Sequence, residues 1–347
     1  MNIALLESTA KALVAQGKGI LAADESTASA NKRFAAVGIE ETEENRRRYR
    51  QMLLFTETAS TALTGVIFYD ETFWQKNDAG VVLSTFAAEQ GLIPGIKVDE
   101  GLTDLPGFPG EKITKGLDTL PERIAKYRDA GARFAKWRAV ITIGNGIPTG
   151  EAIAANVFVL ARYARICQDA DIVPIVEPEV LFDGTHTAEL CETVTASVYD
   201  ALMNAMRAFR VHLPGAILKT SMVLPGKESG LPVTPSEVAE RTVRVLRGHI
   251  PPDMGGVVFL SGGQTPTQAF ENLNAIAKSG PFPWGVTFSY SRALQDPVLR
   301  YFAEHRDDIA GAQKVFAAQL ATAVAARSGF LDAGAGGDQF VSQSQDL

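Results

Sequence analysis

Cysteine is nearly absent: Cys167 and Cys191 are the two in 347 residues. Both fall in stretches with helical patterning, without the paired spacing of a metal knuckle or a disulfide framework, and they read as reduced structural thiols of a cytoplasmic protein. Histidine is scarce too. The four histidines, His186, His212, His249 and His305, are too scattered to assemble a metal site, so neither metal nor cofactor is expected. There is no basic excess: 33 Lys and Arg stand against 40 Asp and Glu, a net charge of −7. That balance argues against nucleic acid or an anionic membrane as a partner, and any anion must be held by a local cluster of cations. No apolar run is expected to span a membrane, and Met1 leads into an amphipathic helical pattern instead of a signal peptide. With 46% hydrophobic residues, the chain has ample material for a folded core.

What is present is alternation. Strand-like apolar runs fall at 20–24, 65–70, 93–99, 134–140, 172–180, 216–223, 256–263 and 284–291. Helical patterns separate them, with starts marked by Thr119-Leu120-Pro121-Glu122, Thr234-Pro235-Ser236-Glu237 and Thr265-Pro266-Thr267-Gln268, which read as capping boxes with an early proline. Gly131 supplies a helix stop. Eight strands, each followed by a helix, predict a (β/α)8 TIM barrel, and burial on both faces explains the nearly continuous apolar runs. A doubly wound sheet fits less well, because the first strand leads to no Gly-x-Gly-x-x-Gly turn. The barrel is expected as one domain over 1–330, with an extra N-terminal helix, a helical segment over 40–60, a long loop over 101–117, and a flexible Gly/Ala/Gln-rich tail over 331–347.

One strand carries a lysine where an ammonium ion is costly. In Ala216-Ile217-Leu218-Lys219-Thr220-Ser221-Met222-Val223, a buried Lys219 must find a partner or give up its proton, and a neutral lysine is a nucleophile for Schiff-base chemistry. Shifting a lysine pKa from ~10.4 to ~7 takes roughly 4–5 kcal/mol. Alone, such a lysine fits an edge strand with its tip in solvent better than a buried nucleophile. The other strand ends tip the balance. Asp24 closes strand one, Lys97 lies near the end of strand three, Lys136 and Arg138 share a face of strand four, and Glu177 and Glu179 share one of strand five. Ser261-Gly262-Gly263 follows strand seven, and Ser289 and Arg292 close strand eight. Barrels build active sites at this end of the strands. Lys136 beside Lys219 would disfavour its protonation, and Asp24 and Glu177 can carry protons. Ser261, the two glycine amides and Arg292 suit one phosphate, while Ser26, Ser29 and Lys97 suit a second. A lysine amine, proton carriers and two anion poles point to a phosphorylated ketose.

Gly19-Ile20-Leu21-Ala22-Ala23-Asp24-Glu25-Ser26-Thr27, Glu43-Glu44-Asn45-Arg46-Arg47, Ala135-Lys136-Trp137-Arg138, Ile175-Val176-Glu177-Pro178-Glu179, Leu218-Lys219, Phe259-Leu260-Ser261-Gly262-Gly263-Gln264 and Phe288-Ser289-Tyr290-Ser291-Arg292-Ala293-Leu294-Gln295 resemble the motifs of class I fructose-bisphosphate aldolases. The resemblance runs from the N-terminal helix to about Gly329. It implies a metal-independent barrel enzyme, commonly a homotetramer, that reversibly cleaves fructose 1,6-bisphosphate to dihydroxyacetone phosphate and glyceraldehyde 3-phosphate. In that scheme Lys219 forms the Schiff base, Glu177 is the general acid, Asp24 takes the C4 hydroxyl proton, Lys136 balances charge, and Glu179 orients Lys136 or Arg138. The C1 phosphate would sit on Ser261, Gly262, Gly263 and Arg292 beside Ser289 and Ser291, with Ser26, Ser29, Arg33, Lys97 and Arg138 on the far phosphate. A lysine-dependent aldolase for another sugar phosphate, and a barrel used only as a binding scaffold, are the competing readings.

The chain departs from the resemblance in four places. Ser291 and Ala28 stand where glycine is usual, and a serine would alter a phosphate contact that needs a glycine-only conformation. Thr220-Ser221 replaces Pro-Asn after the lysine. The chain ends Gln345-Asp346-Leu347 where many members carry a terminal tyrosine.

Overall fold

Aliphatic and β-branched runs buried on both faces form eight short strands: β1 (Gly19–Ala23), β2 (Leu63–Phe68), β3 (Ile93–Lys97), β4 (Phe134–Ile141), β5 (Val173–Val180), β6 (Ile217–Thr220), β7 (Gly256–Phe259) and β8 (Val286–Tyr290). In this computed structural model, which describes residues 1–331, they close into one parallel barrel in the order β1-β8-β7-β6-β5-β4-β3-β2. Ile20 of β1 pairs with Ser289 of β8, and that closure rules out the open doubly wound sheet. The tail over 331–347 lies, beyond Leu331, outside the described residues.

Helices connect and cover the strands: α1 (Ile3–Leu13), α2 (Thr27–Ala36), α3 (Glu43–Leu54), α4 (Ala59–Ala62), α5 (Asp70–Trp74), α6 (Leu83–Glu89), α7 (Leu120–Asp129), α8 (Gly150–Asp169), α9 (Ala188–Ala208), α10 (Pro235–His249), α11 (Pro266–Lys278), α12 (Arg292–Glu304) and α13 (Ile309–Arg327). The capping boxes at Thr234 and Thr265 form, with both threonines extended at ψ 153 and 158. Thr119 does not cap α7: at ψ 3 its hydroxyl makes no hydrogen bond to the helix amides, and it accepts from Arg123 Nε at 3.1 Å instead. The expected 40–60 helix is two, because Thr56 turns its hydroxyl back to Met52 O at 3.2 Å and the chain leaves α3. Within the 101–117 loop lies an antiparallel ribbon, Leu102–Asp104 against Lys112–Thr114. Its strands are three residues each, too short for an alternation pattern to register. The expectation of no membrane-length run was too strict, since α13 is long and apolar enough by length and composition. It lies against α3, α4, α11 and α12.

The barrel interior is layered along the strand axis. Side chains two apart share a face, and on the inward face Ile20 and Ala22, Ile67, Phe134, Val173 and Ile175, Ile217 and Val258 form one apolar cluster. Helix α1 seals it from below with Leu6, Ala10, Leu13 and Val14. The seal is tight: a Cβ on Gly256 would sit 2.5 Å from Val14 Cγ1. Above that apolar floor, the same inward columns turn charged toward the C-terminal mouth. Ile20 and Ala22 lead to Asp24, Phe134 to Lys136 and Arg138, Val173 and Ile175 to Glu177 and Glu179, and Ile217 to Lys219.

Leu6 is fully buried in this plug, so Leu6→Ala should cost about 2–5 kcal/mol of unfolding free energy. Denaturant unfolding measures it, and an unchanged midpoint would remove α1 from the barrel floor.

Candidate active site

Four ionic side chains meet inside the mouth, all nearly enclosed. Asp24, Lys136, Glu177 and Lys219 are each buried. Lys136 Nζ lies 2.7 Å from Asp24 Oδ2 and 3.1 Å from Glu177 Oε2, and Lys219 Nζ lies 3.2 Å from Glu177 Oε1. Glu177 is thus held between two ammonium groups. Its Oε2 makes no aligned hydrogen bond within the described residues, which leaves a lone pair for a proton or a water. Lys136 is not an unbalanced cation beside Lys219, because two carboxylates share its charge.

The electrostatics follow from this packing. Burial alone would raise the Asp24 carboxyl, but Lys136 and then Lys219, with Lys97 behind them, outweigh it and hold the group well below the usual carboxylate range. Burial pushes Lys136 toward neutrality, and Asp24, Glu177 and Asp99 reverse that, raising it above an ordinary lysine. Asp24 is therefore ionised and Lys136 charged at neutral pH. The next layer pairs Arg138 Nε with Glu179 Oε2, and the β4–β5 register sets Arg138 opposite Glu177.

The turn after β7 carries the two glycines. Gly262 and Gly263 take φ 45 and 86, the left-handed region where glycine is favoured. Among the described residues neither of their amides finds an acceptor. Ser261 is buried beside them, and Arg292, the first residue of α12, is exposed and makes no direct ion pair among the described residues. Ser289 is buried on β8, and its Oγ has no partner among the described residues.

The second expected anion pole is less free. Ser26 caps α2, its Oγ 3.3 Å from the Ser29 amide and 3.1 Å from Ser29 Oγ. Lys97 Nζ is held by Asp99 at 2.7 Å. Arg33 is engaged by Glu25 and, at 2.9 Å, by Asp296. Sequence reasoning missed these carboxylates. Glu25 follows Asp24 in the same motif, and Asp99 continues the two-residue period from Lys97, where its Oδ2 also accepts from the Arg138 amide at 3.3 Å. Asp296 gave no signal, since its partner is distant in the chain.

The departures are absorbed locally. Ser291 sits at φ −106, so no glycine-only conformation is required, and its hydroxyl donates to Glu25 Oε1 at 2.6 Å. Ala28 is an ordinary exposed residue of α2. Thr220 Oγ1 pairs with Tyr199 OH at 2.6 Å, and Ser221 Oγ donates to Val180 O at 2.8 Å. The terminal Gln345-Asp346-Leu347 lies outside the described residues.

Fold and site together define a barrel lyase organised on a buried lysine. The chain belongs to the class I fructose-bisphosphate aldolase family, whose model, described as fructose-bisphosphate aldolase class-I, matches residues 5–345. A probable fructose-bisphosphate aldolase class 1 of Xylella fastidiosa is 49% identical over 316 residues, 91% of this chain and 95% of that protein. Fructose-bisphosphate aldolase 4, cytosolic, of Arabidopsis thaliana is 48% identical over 304 residues, 87% of this chain and 77% of that one. The solved structure of the Plasmodium falciparum aldolase, in complex with TRAP and a small-molecule inhibitor, superposes with a TM-score of 0.93 at 45% identity, covering 95% of each chain.

Because the folded Asp24 carboxyl is depressed, its stabilising contribution is full above the unfolded value of 3.8 and is lost as pH falls below it. Asp24→Asn should cost about 1–3 kcal/mol at neutral pH and flatten the acid limb of the stability profile below about pH 4. Urea unfolding across that range checks both. An acid limb as steep in the variant as in the parent would contradict the assignment.

Proposed function

We propose that this chain reversibly cleaves fructose 1,6-bisphosphate to dihydroxyacetone phosphate and glyceraldehyde 3-phosphate through a Schiff base on Lys219. The observation that carries the reading is the enclosed lysine with a carboxylate 3.2 Å from its amine, Glu177 Oε1. Lys219 must shed a proton before it attacks the C2 carbonyl, and Glu177 is the nearby acceptor. The same group, now protonated, returns the proton to the carbinolamine hydroxyl and water leaves, giving an iminium. Asp24 then takes the C4 hydroxyl proton. The C3–C4 electron pair flows into the iminium, the aldehyde phosphate departs, and an enamine remains on Lys219. A proton returns to C3, water hydrolyses the imine, and the ketone phosphate is released.

In this reading Lys136 keeps Asp24 ionised and holds Glu177 in place, while Glu179 orients Arg138. The C1 phosphate binds the Gly262 and Gly263 amides, Ser261 and Arg292, with Ser289 toward the ketose. Ser26, Ser29, Arg33, Lys97 and Arg138 surround the other phosphate. Residues 1–330 form one catalytic domain that works without a metal or cofactor in the cytoplasm, as a homo-oligomer, a tetramer by family resemblance. Its partners are phosphorylated ketoses and trioses, with no nucleic-acid or membrane partner. The cytosolic name of the Arabidopsis relative supports the location.

Steady-state cleavage of fructose 1,6-bisphosphate by the unaltered chain and by Arg292→Ala tests the reading. A charge-assisted contact that also positions the carbonyl should carry roughly 2–4 kcal/mol of kcat/KM, with KM raised strongly and kcat lowered. A variant with unchanged KM would place the phosphate elsewhere, and an inactive parent chain would remove the function.

A further inference from the structure

A second, half-buried polar cluster lies beside the lysine column, centred on Glu25. Its Oε1 accepts from Arg33 Nη1, from Ser291 Oγ at 2.6 Å and from Gln295 Nε2 at 3.2 Å, and its Oε2 pairs with Arg50 Nη1 at 2.7 Å. Gln295 Nε2 also reaches Ala22 O at 2.8 Å and Ser291 Oγ at 3.1 Å, which ties the first turn of α12 to the end of β1. Arg33 continues to Asp296 at 2.9 Å, also on α12. One carboxylate thus joins four elements: the segment after β1, α2, α3 and the start of α12. Burial alone would raise Glu25, but Arg50 and Arg33, with the Ser291 hydrogen bond, lower it, so it stays an acceptor for all of them.

The two ends of this cluster are the two anion poles. Helix α2 carries Ser29 and Arg33, and α12 opens with Arg292. We propose that Glu25 is a positioning residue that fixes the separation between the two phosphate-binding poles, with the Ser291 hydroxyl as its link to α12, and that this link makes the site selective for a substrate with a phosphate at each end. The proposal rests on the phosphate assignment made above. Its physical basis is preorganisation: a ligand that spans both poles gains when their spacing is already set, whereas a ligand that occupies one pole does not. Ser291 is the informative position, because removing its hydroxyl leaves both guanidinium groups of the cluster on Glu25. Glu25→Gln would instead leave Arg33 and Arg50 without their shared charge, and a folding defect would follow.

The test compares fructose 1,6-bisphosphate with fructose 1-phosphate, which occupies the C1 pole alone, in Ser291→Ala, Ser291→Thr and Arg292→Ala, with thermal unfolding of each. Ser291→Ala should raise the ratio of the bisphosphate KM to the monophosphate KM about fivefold. Ser291→Thr keeps a hydroxyl and should restore the bisphosphate KM. Arg292→Ala should raise KM for both substrates. Equal loss on the two substrates in Ser291→Ala, or no loss on either, overturns the coupling while leaving the poles standing if Arg292→Ala still raises both. Should Arg292→Ala change neither KM, the phosphate assignment falls and the proposal with it.

Discussion

A carboxylate wedged between two ammonium groups in a closed barrel is the interaction on which the rest of this molecule depends. Glu177 touches Lys136 through one oxygen and Lys219 through the other, with Asp24 completing the set on Lys136. Each of these charges is costly to bury, and each is tolerable only because the others are present. Removing one partner leaves an uncompensated ion in an enclosed site. The cluster is therefore cooperative, and its members are held at spacings that suit proton exchange between carboxylates and an amine.

The barrel supplies the enclosure. Helix α1 and the lower inward side chains make a buried apolar floor, so the charges are confined to the upper layer. Below them the packed apolar layer separates the charges from solvent-exposed surface. The groups proposed to hold the phosphates surround that mouth on separate elements, the glycine turn after β7 and the starts of α2 and α12. The charged cluster at the centre and the polar groups at the rim follow from one geometric fact, that parallel strands all end at the same face.

Much of this was legible in the chain because a barrel strand writes its inward face with a period of two. Ile20, Ala22 and Asp24, or Phe134, Lys136 and Arg138, show the change from apolar to charged along a single strand, and position alone marks the charged end as the mouth. What the period cannot show is which charges are already satisfied. Arg33 and Lys97 read as free cations for phosphate, yet Glu25, Asp296 and Asp99 hold them, and only the folded chain brings Asp296 to Arg33. Thr119 matched a capping pattern whose threonine then took the wrong ψ. Ser291 looked like a loss where glycine is usual, but its hydroxyl reaches Glu25, a partner distant in sequence.

The central claim is that Lys219 is the amine that bonds to the ketose carbonyl. The most direct measurement is borohydride reduction of the full chain in the presence of dihydroxyacetone phosphate, followed by peptide mapping of the modified lysine. The predicted result is a substrate-dependent adduct on the peptide containing Lys219. An adduct on another lysine with Lys219 unmodified, or no adduct from a chain that still cleaves the bisphosphate, would contradict it.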